Sequence, residues 1–165
     1  MSLTARFGAG PLYPTPFDTL LDNSWRGPII GKWAHYFEAY ERHFSRFRDT
    51  EVVVVEIGIK DGGSFALWRK YFGEKAFIIG ADLFDGSVAI KGNAFFGRPD
   101  RIIIGDQGSD SFWRDIKLAL PKGSLDILID DGSHRAEHMI SSLENALTLL
   151  RPGGVYVCAN VEIEP

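Results

Sequence analysis

Four acidic residues follow apolar segments of this 165-residue chain, and each is a candidate for ligand binding or proton transfer. Glu56 ends "VVVVE", Asp82 ends "FIIGAD", Asp106 follows "RIIIG" and Asp130 ends "LDILID". They recur about every 25 residues, roughly the length of one strand, one helix and two turns. Carboxylates can accept hydrogen bonds, hold a cation or balance a charged ligand.

A second candidate lies in "IDDGSHRAEH", where two histidines follow the acidic pair. His134 and His138 match the His-x-x-Glu-His spacing of one zinc-peptidase group, but so short a pattern arises easily by chance. The following helix is predicted to bury an apolar stripe of Ile140, Leu143, Leu147 and Leu150. His138 then points toward solvent, opposite this stripe, which disfavours a zinc site.

His134 is different, because it follows Ser133, a predicted N-cap, and therefore lies at the helix start beside the strand ends. A helix N-terminus favours the neutral, base-competent form of a histidine. We predict that His134 acts as a general base or binds the substrate that accepts the transferred group. The alternative is a histidine of the capping region that is bonded to a neighbouring carboxylate.

The elements that must position these residues follow a repeating strand and helix pattern. The apolar runs are nearly continuous, which predicts parallel strands buried on both faces. Helices are predicted over residues 64–72, 109–119 and 133–150 and near 87–95, and "RPGGVYVCANV" predicts a turn and a fifth strand. The fold class is therefore α/β, a Rossmann-like doubly wound parallel sheet, in which ligands bind beyond the carboxyl ends of the strands.

The N-terminal part of the chain lacks this pattern. Residues 1–31 contain four prolines and predict an irregular arm, whereas residues 32–48 carry aromatic side chains at the spacing of one helical face. We predict one domain over residues 32–165, beginning with this N-terminal helix.

Composition favours small-molecule chemistry. The net charge is −4 and the pI is about 5.5, so neither nucleic acid nor membrane is an expected partner. No segment reaches the length of a membrane span, and no signal sequence is visible, so we expect a cytoplasmic protein.

The glycine loop after the first long strand indicates which ligand is bound. "EIGIKDGGSFALW" places Gly58 and Gly62 before a helix that starts near Ser64, but it matches neither the dinucleotide fingerprint nor the P-loop. Glu56 beside this loop would repel a phosphate and suit an ammonium or sulfonium group. Asp82 could bind a ribose diol and Asp106 an exocyclic amine. S-adenosylmethionine meets this description, and a nicotinamide-dependent oxidoreductase is disfavoured.

These segments, with "GDQGSDSFW" and "LDILIDDGSHRAEHMISSLENALTLLRPGGVYV", resemble the class I S-adenosylmethionine-dependent methyltransferases, especially the macrocin and mycinamicin sugar O-methyltransferase group. The resemblance extends from about Lys32 to Val157. It implies that Glu56 and Gly58 lie at the methionine end of the cofactor, and that Asp106 with Gln107 lies near the adenine. It also implies that Asp82 binds the ribose and that "IDDGSH" borders the acceptor. We also predict Gly62, Ser64 and Asp130 as cofactor-binding residues.

The resemblance further implies a Mg²⁺ ion that is held by carboxylates after the fourth and fifth strands. Asp130 or Asp131 matches the first position. Where the family has an acidic pair in a context like "YVIEDT", this chain has Ala159 and Asn160, and Glu162 lies two residues further on. Alanine cannot bind a metal and asparagine is a weaker ligand than a carboxylate, so the Mg²⁺ site is incomplete.

The leading hypothesis is therefore O-methylation of a sugar or glycosylated natural product, with Asp131 and His134 as the catalytic residues. The family fold normally adds two further strands, and without them the fifth strand would be an unprotected edge. A C-terminal truncation, pairing into a homodimer through that edge, and a degenerate non-catalytic cofactor-binding or interaction module all stay open as explanations.

Overall fold

The structure is a computed structural model that describes residues 6–7, 15–21, 30–60, 62–84 and 99–161. The predicted helix near 87–95 and Glu162 lie outside these residues. The helices and strands, in chain order, are β1 Arg6–Phe7, α1 Pro16–Leu20, β2 Lys32–Trp33, α2 Tyr36–Phe44, β3 Val53–Ile57, α3 Gly63–Phe72, β4 Phe77–Asp82, β5 Arg101–Ile104, α4 Asp110–Ala119, β6 Leu125–Asp130, α5 Ala136–Leu149 and β7 Leu150–Cys158.

A five-stranded parallel sheet with the order β5-β4-β3-β6-β7 forms the centre of the described fold. The chain runs outward from β3 through β4 to β5, then returns to the other side of β3 for β6 and β7. The predicted Rossmann-like α/β fold is confirmed. The strand order changes direction between β3 and β6, which is where such sheets form ligand crevices.

The two faces of the sheet carry different cores. One face packs under α2 and α3 through an aromatic cluster that includes Phe37, Tyr40, Phe44 and Trp68. The other face packs under α4 and α5 through mainly aliphatic contacts, with aromatic residues that include Phe112 and Trp113. Burial on both faces explains why the strands have continuous rather than alternating apolar sequences.

Regular structure also occurs inside the predicted irregular arm. The short helix α1 begins after Thr15, whose backbone N–H donates to the Asp18 carboxylate at 2.8 Å. Its Phe17 is fully buried and stacks on Phe37 and Tyr71. The prediction missed α1 because tertiary packing stabilises so short a helix. The domain boundary at residue 31 stays a prediction.

Helix α5 is rotated relative to the prediction from its apolar stripe. Ile140, Leu143 and Leu147 are exposed, and the helix buries Ser142, Ala146 and Leu149 instead. The Ser142 hydroxyl is satisfied in the interior, where it accepts a hydrogen bond from the Gln107 side chain at 3.2 Å. The predicted orientation was wrong because polarity alone does not show that a serine can be satisfied in the interior.

Strands β5 and β7 are the outer strands of this sheet within the described ranges. Among the same residues, no helix is both long enough and apolar enough to cross a membrane.

Candidate functional site

A cavity of about 690 Å³ lies beyond the carboxyl ends of the strands, a size suited to a small-molecule ligand. Its walls come from the loops that follow five strands and from residues 30–32. Predicted cofactor residues in the wall are Gly58, Ser64, Asp82, Asp106 and Gln107. The predicted catalytic pair Asp131 and His134 also lines it, whereas Glu56, Gly62 and Asp130 lie behind the wall.

Gly58 holds the loop after β3 directly against the loop after β6. Its φ is +86°, and a Cβ atom added here would lie 2.0 Å from the backbone oxygen of Asp131. Its N–H donates to the Ala81 carbonyl at 2.8 Å. Gly62, with φ of +75°, is the N-cap of α3 and turns the chain into that helix. The glycine loop therefore shapes the cavity by close backbone packing.

Glu56 is fully buried beneath this loop. One carboxylate oxygen accepts hydrogen bonds from the Ser64 hydroxyl at 2.5 Å and the Trp68 indole at 3.1 Å. The other oxygen lies 3.0 Å from the Lys32 ammonium. Because all these partners belong to the protein, Glu56 supports the wall of the cavity rather than forming its surface.

Lys32 is a site residue that the sequence analysis missed. Its ammonium lies 2.9 Å from Asp131 and 3.0 Å from Glu56, and its side chain is 3% exposed. Burial alone would lower the pKa of Lys32, but the negative charges of Glu56 and Asp131 reverse this effect and raise it. The ammonium is therefore a permanent charge between two carboxylates.

Asp82 is the last residue of β4 and lines the cavity. One oxygen accepts the backbone N–H groups of Ile59 and Lys60, both at 3.0 Å, and the other accepts that of Phe84 at 3.2 Å. A carboxylate has about four acceptor positions, so it can still bind a ligand hydroxyl. The predicted position of Asp82 at a ligand-facing strand end agrees with this geometry.

Asp106 and Gln107 follow β5, and they differ in exposure. The Asp106 carboxylate is partly exposed to the cavity, whereas the Gln107 side chain is buried. Gln107 accepts the Ser133 backbone N–H at 2.9 Å and donates to Asp130 at 3.1 Å. Asp130 is also buried and accepts the Tyr156 hydroxyl at 3.3 Å. Asp130 therefore belongs to a buried polar network. Its role as a metal or cofactor ligand stays a prediction, and this buried placement does not favour it.

His138 does not point toward solvent as predicted. Its Nδ1 lies 2.8 Å from the Ser133 hydroxyl, and its Nε2 lies 3.8 Å from Asp106 in the cavity wall. The rotation of α5 accounts for this difference, since the exposed face carries the apolar stripe instead.

His134 precedes α5 rather than forming its first turn. Its φ is +58°, and the helix begins at Ala136 with Arg135 as N-cap, so Ser133 is not the cap that the sequence predicts. His134 and His138 consequently do not share one helical turn. In the part of the chain that the structure describes, no group of three or more His, Cys, Asp or Glu side chains could hold a metal ion.

Asp131, His134 and Asn160 lie together in the cavity wall. The Asn160 amide nitrogen lies 3.2 Å from an Asp131 carboxylate oxygen and 3.3 Å from His134 Nε2. The same Asp131 oxygen lies 4.0 Å from His134 Nε2. A hydroxyl that enters here can meet both a proton acceptor and a carboxylate that stabilises the resulting charge.

Comparison with known proteins gives one consistent result, although no family model matches the chain. It is 35% identical over 142 residues to the 8-demethyl-8-alpha-L-rhamnosyl tetracenomycin-C 2'-O-methyltransferase of Streptomyces olivaceus, which covers 79% of this chain and 35% of that protein. It is 38% identical to the demethylmacrocin O-methyltransferase of Streptomyces fradiae, over 78% of this chain and 33% of that protein.

A solved structure, the MycE methyltransferase of mycinamycin biosynthesis in complex with Mg, SAH and mycinamycin VI, is also similar. The TM-score is 0.63 at 32% identity, over 78% of this chain and 33% of that chain. The chain thus spans about one third of the length of the relatives that it matches.

Proposed function

We propose that this chain, which shares sequence and class I S-adenosylmethionine-dependent methyltransferase fold with the natural-product sugar O-methyltransferases, binds S-adenosylmethionine and methylates a hydroxyl of a sugar or glycosylated small molecule. The observation that carries this proposal is the cavity at the reversal of strand order, which joins Asp82, Asp106, Asp131 and His134.

The cavity wall suits a cationic nucleoside without phosphates. Asp82 and Asp106 present carboxylates to the cavity, and the Lys32 ammonium is already paired with Glu56 and Asp131. A phosphate would meet net negative charge here, whereas a ribose diol and a sulfonium group would be stabilised. We assign the ribose to Asp82 and the adenine side to Asp106.

When bound, S-adenosylmethionine supplies a methyl group that an oxygen nucleophile can accept. One Asn160 amide N–H faces His134 Nε2, so the neutral form of His134 keeps its lone pair on Nε2. The acceptor hydroxyl replaces this N–H at the lone pair, and Nε2 takes the hydroxyl proton as the oxygen attacks the methyl carbon. Asp131, 4.0 Å away, then stabilises the imidazolium that forms.

Calorimetric titration of the full chain with S-adenosylhomocysteine tests the proposal. We expect saturable binding, and we expect Asp82→Asn to weaken it at least about tenfold, because a hydrogen bond to a charged group contributes about 1.5–3 kcal/mol. Asp115→Asn, at an exposed position of α4, makes a matched control. Absence of both heat and competition with S-adenosylmethionine in the intact protein would overturn the proposal.

The non-catalytic alternative has less support, because the relatives are all named as O-methyltransferases and this chain keeps Asp131 and His134 in contact with one cavity. The cytoplasmic location, the homodimer and the absence of nucleic-acid and membrane partners stay predictions.

A further inference from the structure

Within the described ranges, the end of the cavity that we assign to the acceptor lacks the donor set that a divalent cation requires. The question arises because the related MycE structure is a complex with Mg. The answer rests on the proposed function, which assigns this part of the cavity to the acceptor. Mg²⁺ requires near-octahedral oxygen coordination and is commonly anchored by one or two carboxylates. The relevant positions in this chain are the residues that follow β6 and β7.

Asn160 turns its nitrogen, not its oxygen, toward the acceptor. The Trp33 indole N–H can only donate, so the atom that faces it at 3.0 Å is the amide oxygen. The Tyr36 hydroxyl accepts the Asn160 backbone N–H at 2.8 Å and donates to the same amide oxygen at 3.0 Å. Both lone pairs of this oxygen are used, and the NH₂ group, which cannot bind a metal, faces Asp131 and His134.

Both oxygens of the Asp131 carboxylate already have protein partners. One carboxylate oxygen lies 2.9 Å from the Lys32 ammonium, and the other accepts the Asn160 amide N–H at 3.2 Å. Lys32 is buried, so little water screens the repulsion between its ammonium and an approaching divalent cation.

Among the residues that the structure describes, the neighbouring positions supply no replacement carboxylate. Ala159 has no side-chain donor atom, and the Asp130 carboxylate is buried against Gln107 and Tyr156. The described residues therefore do not fit a divalent cation at this place.

We infer that this acceptor site works without a metal ion: the Asn160 amide, anchored by Trp33 and Tyr36, holds Asp131 and His134 in the arrangement that a cation would otherwise impose. Asn160 is thus a positioning residue, and Lys32 supplies the fixed positive charge beside Asp131. The acceptor hydroxyl is recognised by hydrogen bonds alone.

Titration of the full chain with Mn²⁺, followed by the electron paramagnetic resonance signal of the free ion, tests this inference without any assay of activity. We expect no saturable site with Kd below about 1 mM, with or without S-adenosylhomocysteine. A saturable site below that concentration that Mg²⁺ displaces and Asp131→Asn removes would overturn the inference.

A second variant tests whether the missing carboxylates are the reason that the site does not bind a divalent cation. Ala159→Glu combined with Asn160→Asp supplies two carboxylates, and we expect it to bind Mn²⁺ at least about tenfold more tightly than the original chain. The matched control, Asn145→Asp combined with Leu147→Glu, adds the same charges to α5 away from the cavity. Equal binding by the two double variants would contradict the assignment.

Calorimetry with S-adenosylhomocysteine separates failure of this inference from failure of the proposed function. Cofactor binding together with tight Mn²⁺ binding contradicts only the metal-free site. Loss of cofactor binding contradicts the proposed function, whatever the result with Mn²⁺.

Discussion

At the scale of single residues, the contact between Gly58 and the Asp131 backbone joins the loop after β3 to the loop after β6, the proposed cofactor and acceptor sides of the cavity. We predict that Gly58→Ala lowers the free energy of unfolding by about 2–4 kcal/mol, because a methyl group would clash with a carbonyl and the positive φ disfavours alanine. Urea unfolding measures the loss, and calorimetry should show weaker binding of S-adenosylhomocysteine.

Gly31→Ala makes a matched control, since Gly31 also borders the cavity and a Cβ atom there would have no neighbour within 4 Å. Equal stability of the two variants would show that the close approach at Gly58 is not the determining contact.

His134 carries a prediction about chemistry rather than stability. We expect His134→Gln to reduce methyl transfer by about 10²–10⁴-fold, the usual contribution of general base catalysis, while the affinity for S-adenosylhomocysteine changes less than about threefold. A radiolabelled methyl-transfer assay with a sugar acceptor measures the first quantity. His43→Gln, at an exposed position in the last turn of α2, is the control, and equal activity of the two variants would exclude His134 as the base.

The sequence predicted the cavity position of Asp82, Asp106 and Asp131 because acids at the carboxyl ends of parallel strands face one edge of the sheet. It missed Lys32, which was assigned to the start of a helix. The available signal was Glu56 itself, since a carboxylate inside a β-branched run needs a buried partner. The chain contains many cations, and only tertiary structure identifies which one reaches Glu56.

At the scale of elements, the rotation of α5 buries one leucine of this helix and exposes another. We predict that Leu149→Ala costs about 2–5 kcal/mol of unfolding free energy, because this residue is 7% exposed in the core. Leu147→Ala should change it by less than about 0.5 kcal/mol, because this residue is 72% exposed. Denaturant unfolding of both variants decides between the observed orientation and the one that the apolar stripe predicts.

The central strands and the helices α3 and α4 could be predicted closely, since apolar runs and an N-cap define them locally. Ser109, for example, accepts the Phe112 N–H at the start of α4. The short elements α1 and β2 could not be predicted. Each depends on distant partners, as the burial of Phe17 against α2 and α3 shows.

At the scale of the whole molecule, Cys158 at the end of β7 reports on the closed fold. Burial, partly opposed by a hydrogen bond with Tyr156, raises the pKa of its thiol. We predict that alkylation by iodoacetamide between pH 7 and 10 has a midpoint above the ordinary thiol value of about 8.5 in the folded chain. The midpoint should return to that value in urea.

The sign of the linked effect on stability follows from the same shift. Because the pKa is higher in the folded state, the contribution of this thiol to stability is present below the unfolded pKa and is lost as pH rises through the folded value. An unchanged midpoint on unfolding would contradict the predicted shielding of Cys158.

The hydrogen bonds around Asn160 also have a consequence for the order of folding. Trp33 and Tyr36 lie 127 and 124 positions before their partner, and Lys32 lies 99 positions before Asp131. Contacts of such sequence separation carry a large loop-closure entropy and form after local structure. A ribosome must therefore complete all five strands of the described sheet before this cluster can close, so the Asp131, His134 and Asn160 cluster forms among the last steps of folding.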